Sequence, residues 1–181
     1  PSKKSKPTAT PSSRSKVAPT SSRVGVEVRV GDERELGAWI DEWAERIREL
    51  RRARRPLPRL ALIGPMGAGK STSARRLLDA LAISREAEGS PTFAIAHEYR
   101  SRDGLRIVHA DGYRLSSERE LQATGLLEPL WDPEVLCLFE WLDSFPETQR
   151  ALEKSDLPYW EIRFGFDPEG TAARREIRLR R

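Results

Sequence analysis

An apolar run, Arg59-Leu-Ala-Leu-Ile63, leads directly into Gly64-Pro-Met-Gly-Ala-Gly69-Lys70-Ser71, and residues 70–82 then carry Leu77, Leu78 and Leu81 on one helical face. Strand, glycine-rich loop and helix follow in the order of a phosphate-binding loop, and the octapeptide matches G-x-x-x-x-G-K-[ST]. Four fixed positions coincide by chance on the order of once in 10⁴–10⁵ starts. Glycines let backbone N–H groups converge on an anion, and the helix N-terminus adds donors and positive dipole. A bare strand-to-helix bend requires neither Lys nor Ser at those positions. A nucleoside triphosphate site is the reading, with Lys70 reaching the outer phosphates and the Ser71 hydroxyl placed for Mg²⁺.

The rest of the chain supplies a frame for such a loop. Val24, Val26, Val28 and Val30 alternate with polar residues as in a half-buried strand, and Asp32 with Glu35 has the spacing of a helix cap and its reciprocal acceptor. Leu36, Trp39, Ile40, Trp43, Ile47 and Leu50 then mark an amphipathic helix, stopped by Pro56 and Pro58 after an arginine-rich end. Phe93–Arg100 and Leu105–Ala110 read as strands joined by Asp103-Gly104, and 117–123 as a short helix. Val135–Phe139 is a second buried run, and strands at 159–166 and 174–180 flank the turn Asp167-Pro-Glu-Gly170. The alternation argues for an α/β fold: a P-loop NTPase-like three-layer domain whose mixed, largely parallel central sheet carries antiparallel additions.

Composition narrows the classes. The 181 residues are 38% hydrophobic, enough for a core without staples, and Cys137 is the one cysteine, so a disulfide scaffold is excluded and a reducing, cytoplasmic setting fits. No apolar run approaches the roughly 20 residues of a membrane span. Pro1 in place of Met is what a fragment or processed chain would show, leaving a lost targeting segment open. The formal charge of +4 is uneven: six of the 32 basic residues and no acid lie in 1–23, leaving 26 against 28 acids beyond it. Residues 1–23, rich in Ser, Thr and Pro, read as a disordered tail, and 24–181 as the catalytic body. Any contact of that tail with a polyanion would be electrostatic and salt-sensitive.

Two acids are candidates for the chemistry. Glu140 ends the run Val135–Phe139, where an acid would hold magnesium; the plainer alternative is a surface carboxylate. Asp111 follows the strand Leu105–Ala110 and could contact the magnesium shell or orient water, or merely cap the turn at Gly112. The guanine-reading pattern [NT]-K-x-D is absent, its nearest approach being Glu153-Lys154-Ser155-Asp156, which favours ATP.

Several segments together resemble the TsaE (YjeE) family of small bacterial P-loop ATPases. Gly64–Thr72 is similar to the family's G-D-x-G-A-G-K-T-T, Ser90-Pro91-Thr92-Phe93 to S-P-T-[FY], His109–Arg114 to H-x-D-x-Y-R, and Glu140-Trp141 to E-W, in order over about residues 24–181. The resemblance implies a role in making threonylcarbamoyladenosine beside the tRNA anticodon. The ATPase would bind and cycle a TsaD–TsaB complex, meeting tRNA only through it and hydrolysing ATP weakly alone. Carried over by position, Gly64, Met66, Gly67, Ala68, Gly69, Lys70, Ser71 and Thr72 contact nucleotide, as do Thr92 in a phosphate-sensing segment and Trp141 beside the site. Ser71 and Glu140 bind Mg²⁺, while Lys70, Asp111 and Glu140 serve hydrolysis. Trp141 is equally readable as a core aromatic. Pro65-Met66 stands where the family has Asp-Leu, Gly112 where it has Leu, and Ser71 where it has Thr.

Two other functions stay open on sequence: a small-molecule kinase, although no arginine-bearing lid is evident, and a nucleotide-gated binding module with little hydrolysis. His97 and His109 are far apart in sequence and read as ordinary hydrogen-bonded histidines. Cys137 reads as inert core, and the arginines at 174, 175, 178, 180 and 181 as a solvated edge strand.

Overall fold

The structure, a computed structural model, describes residues 33–83, 95–166 and 175–180. In chain order these form α1 (Glu33–Arg52), β1 (Arg59–Ile63), α2 (Lys70–Ala80), β2 (Ala96–Arg100), β3 (Arg106–Asp111), α3 (Glu118–Ala123), α4 (Leu127–Trp131), β4 (Val135–Glu140), α5 (Pro146–Lys154), β5 (Tyr159–Phe166) and β6 (Arg175–Arg180). The strands make one sheet in the order β2-β3-β4-β1-β5-β6. β3, β4, β1 and β5 run parallel, and the edges β2 and β6 pair antiparallel with β3 and β5. This is the mixed sheet with antiparallel additions read from the sequence. The Val24–Val30 strand, the Asp32 cap and the Asp167–Gly170 turn lie outside the described residues.

Alternation along the strands divides the core into two layers. Leu60, Leu62, Leu136, Leu138, Trp160 and Ile162 point to one face, where they meet Leu36, Ile40, Trp43 and Ile47 of α1 and Leu77 and Leu78 of α2. Ala61, Ile63, Val108, Ala110, Val135, Cys137 and Phe139 point to the other, against Leu121, Leu130, Leu142, Phe145 and Leu152. Each large apolar side chain removed from water contributes about 1.5–3 kcal/mol before ordering entropy is counted.

Helix ends are fixed by backbone geometry as well as by proline. Past α1, Arg54 adopts φ 51°, and the N–H groups of Arg54 and Arg55 return to the carbonyls of Arg51 and Leu50. Past α2, Ala82 (φ 57°) and Ile83 repeat the device onto Asp79 and Leu78, so the helix ends earlier than residue 82. α5 is not among the elements expected from the sequence, and it draws its N-terminal cap from outside: Glu118 of α3 accepts from the N–H groups of Glu147 and Thr148 and from the Thr148 hydroxyl.

The apolar run at β1 conceals a buried charge. Arg59 is 1% exposed, and its guanidinium donates to the carbonyls of Leu57 (2.6 Å), Leu130 (2.7 Å), Val135 (3.1 Å) and Asp132. It ties the end of α4 and the start of β4 to the amino-terminal end of the interior strand β1, opposite the glycine loop. The guanidinium also meets the negative end of the α4 peptide dipoles.

Candidate functional site

The carboxyl ends of the parallel strands converge at the glycine loop. Gly64 follows β1 with φ 143°, and a Cβ there would lie 2.3 Å from the Phe164 carbonyl oxygen, so the loop leaves the sheet against the β5 backbone only because that residue has no side chain. Gly67 (φ 77°) and Gly69 (φ 104°) turn the loop into α2. Lys70 is 4% exposed; its Nζ donates to the Gly64 and Pro65 carbonyls at 2.7 and 2.9 Å, bracing the loop on itself. Burial pushes the Lys70 ammonium below its usual pKa, only partly offset by Glu140, Asp111 and Asp143.

Facing the loop, β4 ends in Glu140, 2% exposed, with both oxygens held. Ser71 Oγ donates to Oε2 at 2.8 Å, and His109 Nε2 lies 2.9 Å from Oε1. Burial pushes the Glu140 carboxyl up, but the hydrogen bonds from His109 and Ser71 and the charges of His109 and Lys70 outweigh it, so the net shift is below the usual carboxylate range. A hydroxyl and an ionised carboxylate meeting at a phosphate loop are hard oxygen donors, which suits the oxygen preference of Mg²⁺. Ser71 and Glu140 therefore fit that ion.

Asp111 ends β3, in register with Glu140, and its exposed carboxylate accepts from the Tyr113 N–H at 3.0 Å through Oδ1. The turn-capping role is thus real, and it engages one of the two oxygens. Trp141, immediately after Glu140, adopts φ 64°. That left-handed turn carries its ring to 4.0 Å from Lys70 Nζ and 5.2 Å from the Tyr113 ring. Trp141 is half-buried at the site rather than in the core.

These groups line a cleft of about 230 Å3: Met66, Gly67, Gly69, Lys70, Ser71, Thr72, Asp111, Tyr113, Glu140 and Trp141. Of the residues expected from sequence, Gly64 and Ala68 belong to the loop but not to the cleft lining, Ala68 being fully buried. Thr92 lies outside the described residues. Two participants were not anticipated. Tyr113, 55% exposed, walls the cleft, and His109 contacts Glu140. The signal for His109 was its two-residue step from Asp111, which puts both on one face of β3. His97 pairs with His109 across β2 and β3, yet no group of three potential metal ligands occurs among the described residues. No helix among them is long and apolar enough to cross a membrane.

The chain is similar to proteins of a known family. The family model described as "Threonylcarbamoyl adenosine biosynthesis protein TsaE" matches residues 30–175. A curated relative, the tRNA threonylcarbamoyladenosine biosynthesis protein TsaE of Streptomyces coelicolor, is 50% identical over 56 residues, covering 30% of this chain and 37% of that protein. The match thus spans little more than a third of that relative's length. A solved structure described as "Crystal structure of Bacillus subtilus YdiB" superposes with a TM-score of 0.55 at 26% identity, covering 88% of each chain.

Proposed function

Because the chain belongs to the TsaE family, whose model spans residues 30–175, we propose that it is a Mg²⁺-dependent ATPase that binds and cycles a TsaD–TsaB-type complex forming threonylcarbamoyladenosine on tRNA in the cytoplasm. The observation that carries the catalytic part is the meeting of Lys70, Ser71 and Glu140 at one cleft, with the Ser71 hydroxyl 2.8 Å from the Glu140 carboxylate.

In this reading the loop N–H groups of Gly67 to Ser71 cradle the phosphates, and Lys70 exchanges its bonds to the Gly64 and Pro65 carbonyls for phosphate oxygens. Ser71 and Glu140 would hold Mg²⁺, which when bound would supply neutralisation of phosphate charge. Asp111, exposed on the same cleft, orients the attacking water with the oxygen its cap leaves available. Trp141 and Tyr113 shield the Lys70 side from solvent. Thr92 senses phosphate, as the family resemblance implies. Contact with tRNA is indirect, through the partner complex.

The test is phosphate release from Mg²⁺-ATP with and without the TsaD–TsaB pair. Slow release alone and strong stimulation by the pair is the expected result. ATP binding with no stimulation would instead support a nucleotide-gated docking module, and phosphate appearing on a metabolite would support a kinase.

A further inference from the structure

Beyond the phosphate loop itself, His109 stands against Glu140. Its side chain is 13% exposed and Glu140 only 3%, and their 2.9 Å contact joins two strands. In the parallel pair β3–β4, His109 stands opposite Leu138 and Asp111 opposite Glu140. Period-two alternation then sends His109, Asp111 and Glu140 to the same face of the sheet, the face packed against α2. His109 is absent from the cleft lining, whereas Asp111 and Glu140 both line it. Its ring reaches the site only through Glu140.

A glutamate carboxylate has a broad, nearly two-fold terminal torsion, so the Ser71 bond to Oε2 alone leaves its plane free to swing. A second donor on Oε1 fixes that plane. His109 is well placed to supply it, because β3 is hydrogen-bonded on both sides, to β2 and to β4. A ligand built on a paired strand and locked by an outer partner keeps its geometry better than one on a loop.

We propose that His109 is a positioning residue for the Mg²⁺ site: by bonding Glu140 Oε1 it sets the orientation in which Oε2 and the Ser71 hydroxyl together face the cation. This rests on the reading of Ser71 and Glu140 as the magnesium-holding pair. Outer partners of metal-ligating groups typically contribute 10–100-fold to metal affinity, so the effect belongs in Mg²⁺ affinity rather than in nucleotide contact.

The experiment titrates MgCl₂ into the 181-residue chain with N-methylanthraniloyl-ADP, reading the Mg²⁺ half-saturation from the fluorescence, with affinity in EDTA and the melting temperature measured in parallel. H109L should raise the Mg²⁺ half-saturation by about tenfold or more and leave the affinity in EDTA unchanged. H109Q, whose amide nitrogen can occupy the Nε2 position, should restore it to within about threefold. H109N places its amide nearer the Nδ1 position, short of Glu140, and should behave as H109L; it keeps the test open if H109L folds poorly. An unchanged half-saturation in H109L and H109N, or an equal rise in H109Q, would overturn the proposal. Wild-type nucleotide affinity indifferent to Mg²⁺ would instead overturn the assignment of Ser71 and Glu140 on which the proposal rests.

Discussion

Asp111 and Glu140 are register partners at the ends of adjacent parallel strands, yet one carboxylate is exposed and the other is 2% exposed and held by two donors. Two like groups on one cleft are thereby given different surroundings. The buried one is fixed and suited to a cation, while the exposed one can face water and substrate. The sheet order that makes β3 and β4 neighbours is what creates the pair.

Gly112 sets the separation of that pair from the core beneath. A Cβ there would lie 2.7 Å from Phe145 Cε2 and 3.1 Å from Phe139 Cε1, two rings packed edge to face, and Phe145 is fully buried. G112A should therefore cost about 1–3 kcal/mol in denaturant unfolding, as overpacking does, and lower ATP hydrolysis by displacing the adjacent Asp111. A leucine at this position would not fit this packing.

The Asp103 carboxyl is held below its usual pKa, first by the hydrogen bond from Ser101, against slight burial, and then by the neighbouring Arg51, which pairs with it from the end of α1. A depressed folded pKa contributes stability that is present above the unfolded value, about 3.9, and lost as pH falls through the folded one. D103N should lower stability at pH 7 by no more than about 1 kcal/mol, given the exposure of the pair. Urea unfolding should show that difference shrinking toward zero as pH drops below about 3.9.

Burial pushes the Cys137 thiol up to about 12, despite the nearby Arg59 guanidinium. At pH 8 the folded protein would expose a thiolate fraction on the order of 10⁻⁴, against about a quarter for an unfolded thiol. Labelling with a thiol reagent at pH 8 should be negligible in buffer and rapid in denaturant. Because the folded pKa is raised, the stabilising contribution is complete below the unfolded value near 8.5 and is lost as pH climbs toward 12.

The sequence made β1, α2 and β4 legible because short apolar runs bounded a loop whose glycines and lysine have a mechanical purpose. Lys70, Ser71, Asp111 and Glu140 were legible as candidates for the same reason, and they do line one cleft. The sheet order was not, since it depends on which strands pair across long stretches of chain. The His109–Glu140 bond was hidden with it, its members being 31 residues apart. α5 escaped notice because only Thr148 and Leu152 are buried on it and its cap comes from Glu118. Arg59 was hidden inside an apolar run, its carbonyl partners being gathered largely from around α4 and β4.

Mg²⁺-ATP hydrolysis in the presence of the TsaD–TsaB pair, measured as phosphate release for wild type, K70A and E140A, tests the central claim most directly. The account predicts stimulated release by wild type, loss of nucleotide binding or turnover in K70A, and retained binding with at least roughly 100-fold slower release in E140A. Wild-type rates of release by both variants would contradict it.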